Sequence, residues 1–183
     1  MIKKKRVFKM IKKILVVLIL NLMFFSNANS EERNLELNEL FNQLKNNSNV
    51  SMAFEVEKKI WEIWSIHPLN NRKGYRLTEL LAHGSFLMAE QELNKAYEIF
   101  SQIILADPKW PEAWNKRATV LYMLGRYQES QKDINEVLKL EKRHFGALSG
   151  QGLVQTELKN YEKAVNSYME VQKIYPAMQA PKV

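Results

Sequence analysis

The chain of 183 residues contains no cysteine, and proline and glycine are scarce, with 5 and 6 residues. The first absence excludes disulfide bonds, thiolate catalysis, cysteine-ligated zinc and the cysteine-linked lipid of an amino-terminal lipoprotein anchor. The scarcity of proline and glycine suits long helices, and no stretch shows the sustained alternation that predicts a strand. With 46% hydrophobic and 26% charged residues, the composition is that of a globular protein. We therefore predict an all-α fold.

The formal net charge of +7 comes from the amino terminus. Residues 1–30 contain seven basic residues and no acidic one, so twenty basic and twenty acidic residues remain in the rest of the chain. A neutral remainder has no bulk field that attracts phosphate, and we expect no nucleic-acid partner.

Residues 1–30 have the order of a secretory signal peptide: a basic segment to residue 13, an apolar segment over 14–25, and small residues before a cleavage point. Ala28 and Ser30 stand three and one positions before Glu31, so we predict cleavage after Ser30 and no membrane attachment thereafter. The alternative is an uncleaved membrane anchor, which is disfavoured because a spanning helix needs about 20 apolar residues. Translation from Met1 or from Met10 fits this order, and the choice stays open.

A period of 34 residues runs through residues 77–176. Small residues recur at one position and large residues at another: Gly84, Ala118 and Gly152; Phe100, Ile134 and Tyr168. The pattern predicts helices at 77–90, 94–106, 111–124, 127–140, 145–158 and 161–174. A period of this length indicates antiparallel helix pairs stacked into a solenoid, in which each pair buries its apolar face against its neighbours.

Residues 31–76 show a weaker version of this pattern. Helical spacing predicts one helix to about Lys45 and another that begins near a cap at Ser51 and ends before Pro68. We predict a polar loop over 69–76, and a short tail over 179–183 at the other end of the chain.

The residues WNKRATVLYMLGRY, with Trp114, Ala118, Leu121, Gly125 and Tyr127 at the expected spacing, resemble the tetratricopeptide repeat family. The resemblance covers three copies, at 77–110, 111–144 and 145–178, and makes residues 35–68 a degenerate fourth copy. The exported form resembles small periplasmic tetratricopeptide proteins of Gram-negative bacteria, which implies a periplasmic location, or an inner-membrane location if the signal is retained.

The resemblance implies protein or peptide binding on a concave face lined by the first helix of each repeat, with no catalysis and no cofactor. By position, that face presents nine residues: Leu81, Ser85, Met88, Asn115, Thr119, Tyr122, Ser149, Leu153 and Thr156. One branch of the family clamps a carboxyl terminus with charged residues. The corresponding positions here are Leu81, Ser85, Gly146 and Gly150, and because none is charged we do not expect such a clamp.

No residue pattern indicates catalysis or metal binding. His67, His83 and His144 lack a partner at metal-ligand spacing, and we interpret His67 and His144 as helix-end and turn residues and His83 as a packed helix residue. The four tryptophans could form an aromatic ligand cage, but we interpret them as packing residues: Trp61, Trp64, Trp110 and Trp114. An enzyme or a metal-binding protein is the disfavoured alternative.

Two further segments carry open alternatives. In RHFGALSGQG (143–152), the glycines at 146, 150 and 152 either permit close helix packing, as we expect at least for Gly152, or are approached by a partner, with Arg143 near an acidic group. At the carboxyl end, the last helix is predicted to expose Val165, Tyr168 and Met169, which either bind a second copy or another partner, or are covered by Met178 and the tail. A homo-oligomer formed through this helix is therefore one possibility.

Overall fold

The computed structural model describes residues 31–178, and these residues form eight helices and no strand. The helices are α1 (31–46), α2 (Val50–Ser65), α3 (Arg72–Ala89), α4 (Leu93–Ala106), α5 (Pro111–Met123), α6 (Tyr127–Leu140), α7 (Phe145–Glu157) and α8 (Tyr161–Ile174). The all-α solenoid prediction is confirmed. The signal segment with Ala28 and Ser30, and the tail over 179–183, lie outside the described residues.

Two helix starts differ from the sequence predictions. Helix α2 is capped by Asn49, whose side chain accepts a hydrogen bond from the Met52 amide, and not by Ser51. Helix α3 begins at Arg72, inside the predicted loop over 69–76. The Asn71 side chain caps this earlier start by accepting from the Gly74 amide at 3.0 Å. A side-chain oxygen that satisfies an otherwise unpaired helical N–H is what an amino-terminal cap requires.

In the first and third helix pairs, the small residue of the first helix lies against a large residue of the second. A Cβ built on Gly84 would lie 2.6 Å from the Phe100 ring, and one built on Gly152 would lie 2.4 Å from the Tyr168 ring. Both crossings are therefore closed to any side chain. The middle repeat has Ala118 at this position, and the Ser130 hydroxyl from the second helix donates to its carbonyl at 2.8 Å. The predicted close crossing is confirmed in all three pairs.

The turn inside each repeat places one residue in the left-handed region: Gln91, Gly125 and Lys159, spaced 34 residues apart, with φ of 61°, 72° and 61°. In the middle copy, the amides of Gly125 and Arg126 donate to Tyr122 and Leu121, which is the pattern of a Schellman motif. The turn conformation is thus repeated even though only one copy has glycine, the residue that adopts it without strain.

The amino-terminal pair α1–α2 does not stack in front of the first repeat as a fourth copy would. Its apolar residues form one core with the third repeat, and that core contains Phe41, Ile60, Trp64, Phe145, Leu148, Val171 and Tyr175. Tyr175 also donates a hydrogen bond from its hydroxyl to Glu57 of α2 at 3.1 Å. The predicted N-terminal helix pair is present, but it packs on the third repeat and not in front of the first one as a fourth copy would.

None of the helices in residues 31–178 combines the length and the hydropathy needed to cross a membrane.

Candidate functional site

The candidate site is the concave face, defined here as the side of α3, α5 and α7 turned away from α4, α6 and α8. These three helices are the first helices of the three repeats and lie side by side. Their amino-terminal halves and their carboxyl-terminal halves have different surroundings.

The α1–α2 pair covers the amino-terminal half of the concave face. The Trp64 ring stacks on His144, with 4.0 Å between ring centroids and an interplanar angle of 7°. The Trp61 ring lies over Gly146, where a Cβ would come within 2.5 Å of its Cη2 atom. Lys116 Nζ lies 5.7 Å from the centroid of the same Trp61 ring. This half is therefore occupied by the chain's own second helix.

This contact decides between the two interpretations of the 143–152 segment. The residue that approaches Gly146 is Trp61 of the same chain. Arg143 pairs with Glu141 at 2.9 Å, donates to Asn38 at 2.7 Å and lies 4.3 Å from the Phe41 ring centroid. The segment is thus the docking site of α1–α2.

A buried polar cluster lies beneath this cover. Glu112 is fully buried and its Oε2 atom accepts a hydrogen bond from His144 Nε2 at 3.1 Å. Its Oε1 atom is paired only with Lys116 Nζ at 3.2 Å, without hydrogen-bonding geometry. Burial acts to raise the pKa of Glu112, but the hydrogen bond from His144 and the charge of Lys116 outweigh it, and the pKa is lowered.

Buried His67 pairs with the partly exposed Asp107, with 2.8 Å between Nε2 and Oδ2. Burial lowers the pKa of His67, and Asp107 opposes that shift only in part. The Leu69 amide donates to His67 Nδ1, so Nε2 carries the proton of the neutral ring.

His144 is arranged in the same way, because its Nδ1 atom accepts from the Ala147 amide and caps α7. Both ring nitrogens of His67 and of His144 are therefore engaged in structural hydrogen bonds, which leaves none to act as a general base. His83 is exposed, contrary to our expectation of a packed residue. Residues 31–178 contain no cluster of three or more potential metal ligands from histidine, cysteine or the acidic residues.

The tryptophans are packing residues, as expected. Trp64 and Trp110 are buried, and Trp110 donates from Nε1 to the Trp64 carbonyl at 3.0 Å, which ties the start of α5 to the end of α2. Trp61 makes edge-to-face contacts with Trp64 and Phe145.

Two of the nine predicted binding residues are buried, and the prediction is corrected there. Leu81 is 2% exposed and belongs to the core of the first repeat. Asn115 is 7% exposed because its side chain turns inward and donates to Glu112. Ser149 is half-buried, and its hydroxyl lies 3.8 Å from the Met178 sulfur.

The other six predicted residues line the carboxyl-terminal half of the concave face, which we call the open strip: Ser85, Met88, Thr119, Tyr122, Leu153 and Thr156. Thr119 and Leu153 are exposed and the others are half-buried. Three hydroxyls, of Ser85, Thr119 and Thr156, donate to the carbonyl four residues earlier in their own helices, so they offer acceptor lone pairs to a partner.

The open strip is largely apolar and carries little charge. Burial raises the pKa of Tyr122, and the neighbouring Glu157 carboxylate from α7 raises it further, so the phenol stays protonated. Met123 is 40% exposed beside it. Such a strip can take up an apolar segment and offers no site for binding an anion.

Sequence reasoning missed the burial of Glu112, His144 and His67. One signal was present: His144 occupies the repeat position of Trp110, which is itself fully buried. The burial of Glu112 had no local signal, because it depends on a helix some fifty residues earlier in the chain.

Comparison with known sequences points to one family. The profile of the Tetratricopeptide repeat family matches residues 111–144 and, in a second form, residues 147–178. A TPR repeat-containing protein of Rhizobium etli is 32% identical over 152 residues, which are 82% of this chain and 71% of that protein. Hsp70-Hsp90 organizing protein 2 of Arabidopsis thaliana is 29% identical over 87 residues. The match covers 48% of this chain but only 15% of the Arabidopsis protein.

Solved structures share the fold. A MamA protein aligns with a TM-score of 0.53 at 18% identity and covers 80% of this chain and 75% of its own. The second TPR of Spaghetti, solved with the HSP90 peptide SRMEEVD, aligns with a TM-score of 0.52 at 20% identity, covering 54% of this chain and 91% of its own.

Proposed function

Since the chain belongs to the tetratricopeptide repeat family, we propose that it is an exported protein-interaction scaffold that binds a peptide or a partner helix on its concave face and catalyses no reaction. The observation that carries this proposal is the open strip. It is the part of the concave face that the chain's own helices leave accessible.

The chemistry of the strip defines the kind of partner. Met88 in the strip and Met123 beside it are flexible, polarizable side chains that adapt to irregular apolar surfaces. Tyr122 and Leu153 add apolar area, and the hydroxyl-bearing residues between them accept hydrogen bonds. An amphipathic helix that places its apolar side chains into a groove is recognised by this combination. We propose an apolar partner segment of this kind.

An acidic carboxyl-terminal peptide fits this face poorly. SRMEEVD, the peptide in the Spaghetti complex, carries several carboxylates. Here two of the positions that would clamp a carboxylate are inaccessible, because Leu81 is buried and Gly146 lies beneath Trp61. The partner we propose therefore differs in charge from that peptide.

Export is proposed from the order of residues 1–30. A cleaved signal would leave the protein in the periplasm without membrane attachment, and an uncleaved signal would leave the same scaffold on the inner membrane. Mass spectrometry of the native protein separates the two, because the cleaved form begins at Glu31. A native mass that retains residues 14–25 would establish the anchored alternative.

Binding can be tested by substitution within the strip. Thr119→Arg places a long charged side chain at the centre of the strip, on an exposed position where the fold tolerates it. The matched control is Leu105→Glu on α4, where the side chain is 87% exposed and the equivalent positions in the other repeats are Lys139 and Lys173.

We expect a protein that co-purifies with the unmodified chain to be lost from Thr119→Arg and retained by Leu105→Glu. Equal retention by both variants would refute binding at the open strip. Loss from both would place the contact elsewhere.

A further inference from the structure

The first helix of each repeat has one side that faces the preceding repeat. In α5 and α7 the residues on this side are at equivalent positions, 34 residues apart: Ala113, Arg117 and Val120; Ala147, Gln151 and Val154. The alanines and valines among them are at most 1% exposed. This side of the helix therefore normally forms a packed interface between repeats.

In α3 the same side is open. The equivalent residues are Glu79, His83 and Phe86, and all three are exposed, with Phe86 at 60%. No repeat precedes α3, because α1–α2 packs against the third repeat instead. We call this surface of α3 the leading face.

The opposite end of the solenoid is open as well. Val165 and Met169 of α8 are 56% and 52% exposed, and we call their surface the trailing face. Their equivalents in α4 are Tyr97 and Ser101, which contact the next repeat. Arg117 donates to Ser101 Oγ at 3.1 Å and lies 5.6 Å from the Tyr97 ring centroid.

The two faces are therefore the two halves of one interface that the chain already forms twice internally. His83 holds the position of Arg117, and Met169 holds that of Ser101. Both faces are apolar at their centres, in Phe86 on one side and in Val165 and Met169 on the other. Exposed apolar patches of this kind on a folded chain mark interaction sites.

We propose that copies of this protein associate head to tail, with the trailing face of one copy stacked on the leading face of the next. The partner is a second copy because α8 corresponds to α4 and α6, the helices against which the first helix of the following repeat packs, and α3 of another copy is such a first helix. Such a contact joins two different surfaces, so it adds further copies in one direction unless the rotation closes a ring. This proposal is independent of binding at the open strip, which neither face includes.

The absence of cysteine makes a selective test possible in the full chain. His83→Cys and Met169→Cys are introduced into separate copies, which are expressed together in one cell and treated with a short, membrane-permeant bis-maleimide. We expect a crosslinked dimer only when both variants are present. A single chain that carries both substitutions is expected to give a ladder of higher multiples.

The matched control replaces Met169→Cys with Leu105→Cys, which is also exposed but lies outside both faces, and it is expected to give no dimer with His83→Cys. Phe86→Glu in the doubly substituted chain is expected to abolish the ladder, whereas Leu105→Glu is expected to preserve it. Phe86 is exposed in the single chain, so its substitution should leave the helical content measured by circular dichroism unchanged.

Three outcomes would overturn the proposal. Dimers formed by Met169→Cys alone would indicate a symmetric contact between trailing faces. A crosslinked band whose mass is not a multiple of the chain would indicate a different partner. Absence of any crosslink between the two variants would show that the faces do not meet.

Discussion

Docking of α1–α2 onto the concave face can be tested with a single methyl group. Gly146 and Gly150 lie in the same helix, α7, but only Gly146 lies beneath Trp61. A Cβ on Gly150 would meet Ile134 at 3.7 Å, which is ordinary contact. Gly150→Ala should therefore show only the helix-propensity gain of about 1 kcal/mol.

Gly146→Ala has a smaller propensity gain, because the residue lies in the first turn, and it creates a clash. The new Cβ would lie 2.5 Å from Trp61 Cη2, against an optimal carbon–carbon separation of about 3.5–4.0 Å, so Trp61 must move by roughly 1 Å. The rings of Trp64 and Phe145 at 5.3 Å and of His144 at 5.5 Å restrict that movement. Overpacking of this kind costs about 1–3 kcal/mol.

The two alanine variants should therefore differ in unfolding free energy by about 1–4 kcal/mol, the overpacking cost plus the difference in propensity gain, with Gly150→Ala the more stable. Urea unfolding measures this difference directly, and in a thermal scan each kcal/mol corresponds to about 2–4 °C for a chain of this size. Trp61→Leu should remove most of the penalty of Gly146→Ala, since residues in contact show coupled effects. If Gly146→Ala stabilises the chain as much as Gly150→Ala, then Trp61 does not lie on α7 in solution and the amino-terminal half of the concave face is open.

Three further predictions concern the solenoid itself. Ala118→Leu should overpack the crossing of α5 and α6 and cost about 1–3 kcal/mol, and unchanged thermal unfolding would refute the repeat register. Gly152→Ala should destabilise the chain because its Cβ would lie 2.4 Å from the Tyr168 ring. Tyr168→Ile should relieve this clash, and a double-mutant unfolding cycle that shows no coupling between the two positions would disprove the contact. Because the pKa of His67 is lowered on folding, the unfolded chain binds a proton more readily, and the unfolding free energy should fall as the pH drops below the ordinary value of 6.5. His67→Gln, which keeps a hydrogen-bond donor for Asp107, should weaken the pH dependence of the unfolding free energy. If the variant has the same pH profile as the unmodified chain, other groups cause the dependence.

The repeat architecture could be read from the sequence because each repeat is specified locally. Small and large residues recur every 34 positions, and each crossing needs only those two residue types to meet, as Gly152 and Tyr168 do. Five of the six predicted repeat helices begin within one residue of their observed starts. The exception is α3, whose start at Arg72 depends on the Asn71 cap.

The candidate site was predicted in part, for the same reason. The position of a residue within a repeat predicts whether it lies on the side of the first helix that does not contact the second helix. Six of the nine residues predicted in this way line the open strip. The position of a residue within a repeat does not predict whether another part of the chain packs over it. Asn115 is buried where its side chain donates to Glu112, whereas Leu81 is buried in the core of the first repeat itself.

The sequence by itself therefore determined the helices, the period and the small-against-large crossings, because these depend on residues close together in the chain. Only the tertiary structure decided that α1–α2 packs on the concave face against the third repeat, because that position depends on residues far apart in the chain. That choice is made by long-range contacts, such as Trp64 on His144 and Tyr175 with Glu57. It buries Glu112, closes half of the concave face and leaves Phe86 exposed on the leading face.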